Sequence, residues 1–266
     1  METDYVWWQY VLLLVGGVLA GIINTLAGNG SSITLSILLG MGMPATVANA
    51  TNRIGASLQV IVAVLSLKRT LRTRILFKDT LWYVLPALLG SIIGAFLAVD
   101  IDPELLKRII GAIMLLLLLT LVLNPQKWSR PTDLLVNKKT PLNWAMIFLS
   151  AAYAGFIQMG MGILILAVLV LIAHYSLRDG NIIKLALSLV LVIPPFLVFL
   201  FIGELLWIPG LVLAVGQSVG AVIGARYILF LPNANTYVRW LLVVILIISS
   251  YVLLGVHDFL IQLLGL

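Results

Sequence analysis

Long apolar runs broken by short polar turns make up most of this chain. Runs of about 18–20 residues match the length of a helix crossing a ~30 Å hydrocarbon core. The pattern predicts membrane segments at roughly 6–25, 32–42, 46–67, 79–99 and 104–123, then at 142–159, 163–173, 177–202, 206–229 and 237–257. No alternation of apolar and polar residues runs through them, so a transmembrane β-barrel is disfavoured. Segments 32–42 and 163–173 are too short to span as ordinary helices. Each follows a glycine-broken stretch, the pattern of a half-helix or re-entrant piece.

Two of these interruptions are rich in hydrogen-bonding groups. Asn24-Thr25-Leu26-Ala27-Gly28-Asn29-Gly30-Ser31-Ser32 separates the first segment from the second. Asn49, Thr51, Asn52 and Arg53 lie within the third. Irregular backbone at membrane depth is tolerated where it is buried in protein or lines a water-filled cavity. A charged residue there is costly and marks a functional site by default.

The two halves resemble each other. Leu89-Gly90-Ser91-Ile92-Ile93-Gly94-Ala95 matches Val219-Gly220-Ala221-Val222-Ile223-Gly224-Ala225, and Ala20-Gly21-Ile22-Ile23-Asn24 matches Ala154-Gly155-Phe156-Ile157-Gln158. Gly28-Asn29-Gly30 matches Gly160-Met161-Gly162, with Asn49 opposite Asn181 and Asn52 opposite Lys184. The expected organisation is a first repeat over 1–125, a basic linker over 126–141 and a second repeat over 142–266.

Charge sets the expected orientation. Lys68, Arg69, Arg72, Arg74 and Lys78 follow the third segment, and Lys127, Arg130, Lys138 and Lys139 lie between the halves. Both clusters belong on the cytoplasmic side by the positive-inside rule, which places both termini on the other side. The corresponding loops of the second half carry the opposite bias, as inverted-topology repeats require. The fold class expected is therefore an all-α polytopic membrane protein. It has two inverted-topology repeats of about five membrane segments each, with broken or re-entrant half-helices.

Composition agrees. Of 266 residues, 62% are hydrophobic and 10% charged, against about 25% charged in a soluble domain. The formal net charge of +6 is explained by the basic loops and does not indicate nucleic acid. Cysteine is absent, which excludes disulfides and thiolate metal sites. Acidic residues precede the first segment, unlike the basic start of a signal peptide, so that segment is expected to remain as a membrane helix.

Helix restarts supply the candidate chemistry. A helix that stops at Gly28-Asn29-Gly30 and restarts near Ser31 leaves unpaired N–H groups at its new N-terminus. With the positive end of the dipole, these bind anions well. Either Ser31 or Ser32 could instead cap them, and glycine alone can mark close helix contact. The counterpart at Gly160 and Gly162 is less polar, with Gln158 its strong hydrogen-bonding side chain.

Two cations lie deep. Arg53 is ~12 Å in from the Pro44 turn at ~1.5 Å per residue, and positions 49, 52, 53 and 56 share a helical face. Its guanidinium suits oxyanions, although pairing with helix-end carbonyls is the competing role. Lys184 is similarly deep, with Asn181 and Ser188 on its face, and snorkelling towards the interface is its competing role. All carboxylates fall in loops or near segment ends, so a buried-acid cation transporter is disfavoured and an anion is favoured. No nucleophile–base set, metal-ligand spacing or P-loop appears, so no catalytic residues, metal or cofactor are expected.

The string Ala20-Gly21-Ile22-Ile23-Asn24-Thr25-Leu26-Ala27-Gly28-Asn29-Gly30-Ser31, followed by Gly42-Met43-Pro44-Ala45-Thr46-Val47-Ala48-Asn49-Ala50-Thr51-Asn52-Arg53, resembles the signature of the sulfite exporter TauE/SafE (TSUP) family. The resemblance implies an inner-membrane permease with two repeated halves. It implies export or uptake of small organosulfur anions such as sulfite, sulfoacetate and sulfonates. Asn29 stands where that family often has glycine, and Gln158–Gly162 is less glycine-rich than its usual second signature.

The expected function is thus secondary transport, export in the first instance, of a small organosulfur or related organic anion by alternating access. An anion channel, a permease for a non-sulfur carboxylate and a non-transporting receptor are the other readings. The expected site is Asn24, Gly28, Asn29, Gly30, Ser31, Ser32, Asn49, Asn52, Arg53, Gln158, Gly160, Gly162, Asn181 and Lys184. The partners are the small anion and the lipid bilayer. The coupling ion, H+ or Na+, and the oligomeric state are left open by these residues.

Overall fold

The computed structural model describes residues 5–97, 115–116, 118–119, 122–123, 126, 128, 130–133, 138–156, 160–202 and 205–253. Its helices are α1 (Trp7–Leu26), α2 (Ser31–Gly40), α3 (Ala45–Ser66), α4 (Leu71–Leu97), α5 (Pro141–Phe156), α6 (Met161–Ala167), α7 (Leu177–Ile202), α8 (Trp207–Val222) and α9 (Ala234–Leu253). Short π turns extend α6 to Ile172 and α8 to Tyr227. The protein is an all-α membrane protein. Three described stretches, Trp7–Leu26, Leu71–Gly94 and Trp207–Phe230, are long and apolar enough to cross a bilayer. Trp7, Trp8, Val11, Val15 and Leu19 on α1 are exposed, as a lipid-facing stripe would be.

One boundary differs from expectation. The basic residues Arg72, Arg74 and Lys78 lie on α4, not in a loop before a segment starting at 79. Arg and Lys are good helix formers, and the Thr70 hydroxyl accepts the Thr73 N–H at 3.1 Å, giving the helix its start. Hydropathy alone misses such a polar first turn. The fifth expected segment, 104–123, falls almost wholly outside the described residues.

Both short helices, Ser31–Gly40 and Met161–Ile172, fall below the length of a crossing helix. The α2 helix folds back along α1, because a Cβ on Gly16 would lie 2.2 Å from Ile37 Cδ1 and one on Gly30 would lie 2.0 Å from Ala20 O. Ten residues rise only ~15 Å, half of the hydrocarbon core. The α5–α6 pair returns in the same way. Beyond α6, the His174 carbonyl accepts the Asp133 N–H at 3.0 Å. Lys138, just before α5, places its ammonium 5.3 Å from the Tyr175 ring.

Glycine contacts join these hairpins to long helices. On α8, a Cβ at Gly216 would lie 2.3 Å from Leu14 O, and one at Gly220 would lie 2.1 Å from Val18 O. On α4, a Cβ at Gly90 would lie 2.3 Å from Phe148 O, and one at Gly94 would lie 1.8 Å from Ala152 O. Small residues let membrane helices approach at backbone distance, where packing and weak hydrogen bonds drive association.

Candidate anion site at the crossing of two hairpins

The α1–α2 break forms where the sequence places glycine. Gly28 adopts φ +84°, a left-handed conformation that glycine takes without a Cβ penalty. Its N–H returns to Ile23 O at 3.1 Å. The α5–α6 break ends on Gly160 at φ +75°. The two breaks touch: a Cβ on Gly28 would lie 2.4 Å from Gly162 Cα, and one on Gly162 would lie 2.5 Å from Gly28 Cα.

A cavity of about 10 Å³ adjoins this crossing, with Asn24, Ser31, Gln59, Lys184 and Ser188 in its wall alongside Gly28 and Gly162. That space holds about one water. The α2 helix starts here at Ser31 with no side-chain cap on its N-terminus. The Asn24 amide donates to Gln59 Oε1 at 2.9 Å, while Gln59 Nε2 is buried with no hydrogen-bond partner in the protein.

Lys184 is 1% exposed, so it does not snorkel to the interface. Its ammonium donates to Asn24 O at 3.2 Å, to Thr25 O at 2.9 Å and to Asn181 Oδ1 at 2.7 Å. It therefore seals the carbonyl end of α1. The end of α1 carries about half a negative charge and the start of α2 about half a positive one. With Lys184 protonated beside them, the cavity wall is net positive.

The other expected residues that are described do not line this cavity. Asn29 Oδ1 accepts the Ser32 hydroxyl at 2.6 Å, holding the turn between α1 and α2. Asn52 is fully buried, and its Oδ1 accepts Thr34 Oγ1 at 2.6 Å and Gln217 Nε2 at 3.4 Å. Arg53 is 4% exposed, and Asn49 on the same helix is half-buried. Gly30 and Gly160 form the backbone of the two breaks, and Asn181 reaches the cavity through Lys184. Gln158 lies outside the described residues.

Gln59, Ser188 and Gln217 are part of this network although they were not in the expected set. Gln59 lies seven residues from Asn52, two helical turns along the same face of α3, so its signal was that periodicity. The sequence signal for Gln217 is a glutamine deep in an apolar run.

The family model described as sulfite exporter TauE/SafE matches residues 13–253. A Sinorhizobium protein named "Probable membrane transporter protein ORF9" is 28% identical over 217 residues, 81% of each chain. A Haemophilus influenzae protein named "Probable membrane transporter protein" is 26% identical over 239 residues, 88% of this chain and 89% of its own. The Escherichia coli K12 protein named "Probable membrane transporter protein YfcA" is 26% identical over 261 residues, 96% of this chain and 94% of its own. No solved structure matches the chain significantly. The chain belongs to the sulfite exporter TauE/SafE family.

Proposed function

We propose that this membrane transporter is a secondary carrier of a small organosulfur anion such as sulfite, sulfoacetate or a sulfonate, exporting it by alternating access. The observation that carries the reading is the cavity where the two hairpins cross. It combines a helix start at Ser31 with no side-chain cap, the unpartnered Gln59 Nε2 and the buried ammonium of Lys184. Helix N-termini and charge-assisted donors favour an oxyanion.

Two further features support alternating access. The cavity has room for about one water, so an anion enters only when the helices around it move. The contacts of α8 on α1 and of α4 on α5 are reciprocal. They pair Gly216 and Gly220 on Leu14 and Val18, and Gly90 and Gly94 on Phe148 and Ala152. This favours two inverted repeats, 1–125 and 142–266, around the linker 126–141. The contact register sets Gly94 against Gly220, one helical turn from the sequence match with Gly224. Loop charge favours an inner-membrane orientation with both termini outside the cytoplasm.

The test is transport by purified protein in proteoliposomes against a panel of sulfite, sulfonates and carboxylates of similar size. Sulfur oxyanions should move, and Arg53→Ala and Lys184→Ala should each lower the rate. Carboxylates moving equally well would indicate a non-sulfur carboxylate permease, and large unitary currents would indicate a channel. Intact anion transport in both variants would refute the site.

A further inference from the structure

A second cavity, of about 570 Å³, lies at the basic end of the molecule. It is bounded by the start of α4, the linker residues Pro131 and Thr132, the start of α7 and Phe230. Arg178 holds its guanidinium 4.5 Å from the centre of the Phe230 ring, and Lys68 holds its ammonium 5.2 Å from it. Ile182 also lines it, near Asn181 and Lys184 of the central site along α7.

The polar feature of this chamber is Asp179, the one acidic side chain that is buried among the described residues. Its Oδ2 accepts Arg72 Nε at 3.1 Å, forms an ion pair with Arg72 Nη2 and accepts the Thr132 hydroxyl. The Thr132 oxygen in turn accepts the Ser176 N–H at 2.9 Å, and the Ser176 hydroxyl accepts the Asp179 N–H at 3.1 Å. Tyr175 in the same turn donates to Asp79 at 3.0 Å, and burial pushes its phenol above the usual range, so it remains a donor.

A guanidinium edge and a hydroxyl converging on one carboxylate oxygen form a recognition set for an oxyanion. Asp179 thus occupies, on a tether, the position that one oxygen of a sulfonate or carboxylate would take. Its Cα is ~7.5 Å along α7 from that of Lys184, five residues at ~1.5 Å each. One carboxylate also ties three segments together: the start of α4, the linker and the start of α7. Any anion that displaced it would both dock in the chamber and free α7, the helix that carries Lys184.

We propose that this chamber is a loading site for the transported oxyanion, at which Arg72 and Thr132 exchange the Asp179 carboxylate for an oxygen of the substrate. It rests on the anion reading of the central site and adds to it a binding step and the residues that perform it. A plain structural role for Asp179, a favourable acid in the first turn of a helix, predicts no ligand there.

The chain has no cysteine, so Ile182→Cys places a single thiol in the wall of the chamber. Its labelling is followed in membrane vesicles, from the face bearing Lys68–Lys78, with impermeant anionic sulfonatoethyl and cationic trimethylammonioethyl methanethiosulfonates. Adding Asp179→Asn should speed the anionic reagent about tenfold or more, the scale of one charge-assisted hydrogen bond. Ethanesulfonate should then protect the thiol saturably, and Arg72→Gln should abolish that protection.

Equal acceleration of both reagents, no acceleration, or protection that does not saturate would overturn the proposal. Simple charge attraction gives no saturation and no special dependence on Arg72. If Asp179→Asn does not fold, protection is read in the protein with Asp179 intact at higher ethanesulfonate, where Thr132→Val must weaken it and an unchanged result counts against the site. Labelling needs no transport. Protection without sulfonate flux would keep the loading site and remove the transport reading, and flux without protection would do the reverse.

Discussion

Gly28 and Gly162 meet backbone to backbone, and neither has room for a methyl group: a Cβ on either would come within 2.5 Å of the other's Cα. This contact fixes the turn of one hairpin against the turn of the other and so places α2, α6 and Lys184 around one small space. The hairpins come from opposite halves of the chain, which makes this the point where the halves are joined at the site.

Alanine at either position should separate the hairpins. Gly28→Ala adds about 1–2 kcal/mol for a left-handed non-glycine residue to an overpacking cost of about 1–3 kcal/mol. Gly162→Ala should cost only the second term. Gly40→Ala, with nothing within 4 Å of its added Cβ, should change stability by less than about 0.5 kcal/mol. Thermal unfolding in detergent measures all three, and equal midpoints would contradict the backbone contact.

Lys184→Met should be worse than its size suggests. It removes three hydrogen bonds and leaves Asn24 O and Thr25 O without their ammonium. Losing bonds to a buried charge costs on the order of 3 kcal/mol. Substrate transport should be lost, while Lys184→Arg should recover part of the stability but not the rate, since a planar fork cannot reach the same three oxygens. Stability and initial rate, measured on the same preparations, separate these effects.

The Asn52 carbonyl is shared by Thr34 and Gln217, which links α2, α3 and α8. Thr34→Val keeps the shape and removes one donor. It should cost about 0.6 kcal/mol, the average for side-chain hydrogen bonds between membrane helices, and no more than about 1.7 kcal/mol. Thr34→Ser should restore most of it. A double-mutant comparison with Gln217→Leu should show non-additivity, because both donors serve one oxygen.

The reciprocal glycines give a pair of matched expectations. Gly94→Ala and Gly220→Ala each drive a methyl into a carbonyl oxygen of the partner helix, Ala152 O at 1.8 Å and Val18 O at 2.1 Å. Both should lower the unfolding midpoint by similar amounts and abolish transport. A large loss for one with none for the other would contradict the matched packing.

Much of this was legible in the sequence because glycine and polar residues stand out in an apolar chain. The break at Gly28–Ser31 is a local property: a helix cannot continue through that backbone, and the positive φ falls on Gly28 itself. The folding back of α2 was legible from length, since ten residues cannot span. The roles of Lys184 and Asn52 were less so. Each was marked by its place on a helical face and in the repeat, which brings Asn181 to Lys184, but that does not say which distant carbonyl or hydroxyl meets the side chain, because those partners are 159 and 18 residues away. The extent of α4 was missed because hydropathy discards a basic first turn. The Arg72–Asp179 pair joins positions 107 apart, and nothing local in either segment signals it.

Binding of an oxyanion where the hairpins cross is tested most directly by a structure determined with ethanesulfonate bound. The sulfonate oxygens should lie beside the start of α2 at Ser31 and within hydrogen-bond reach of Gln59 Nε2, with the cavity enlarged around them and Lys184 nearby. A sulfonate bound elsewhere with this cavity still closed around Asn24 and Lys184 would contradict it.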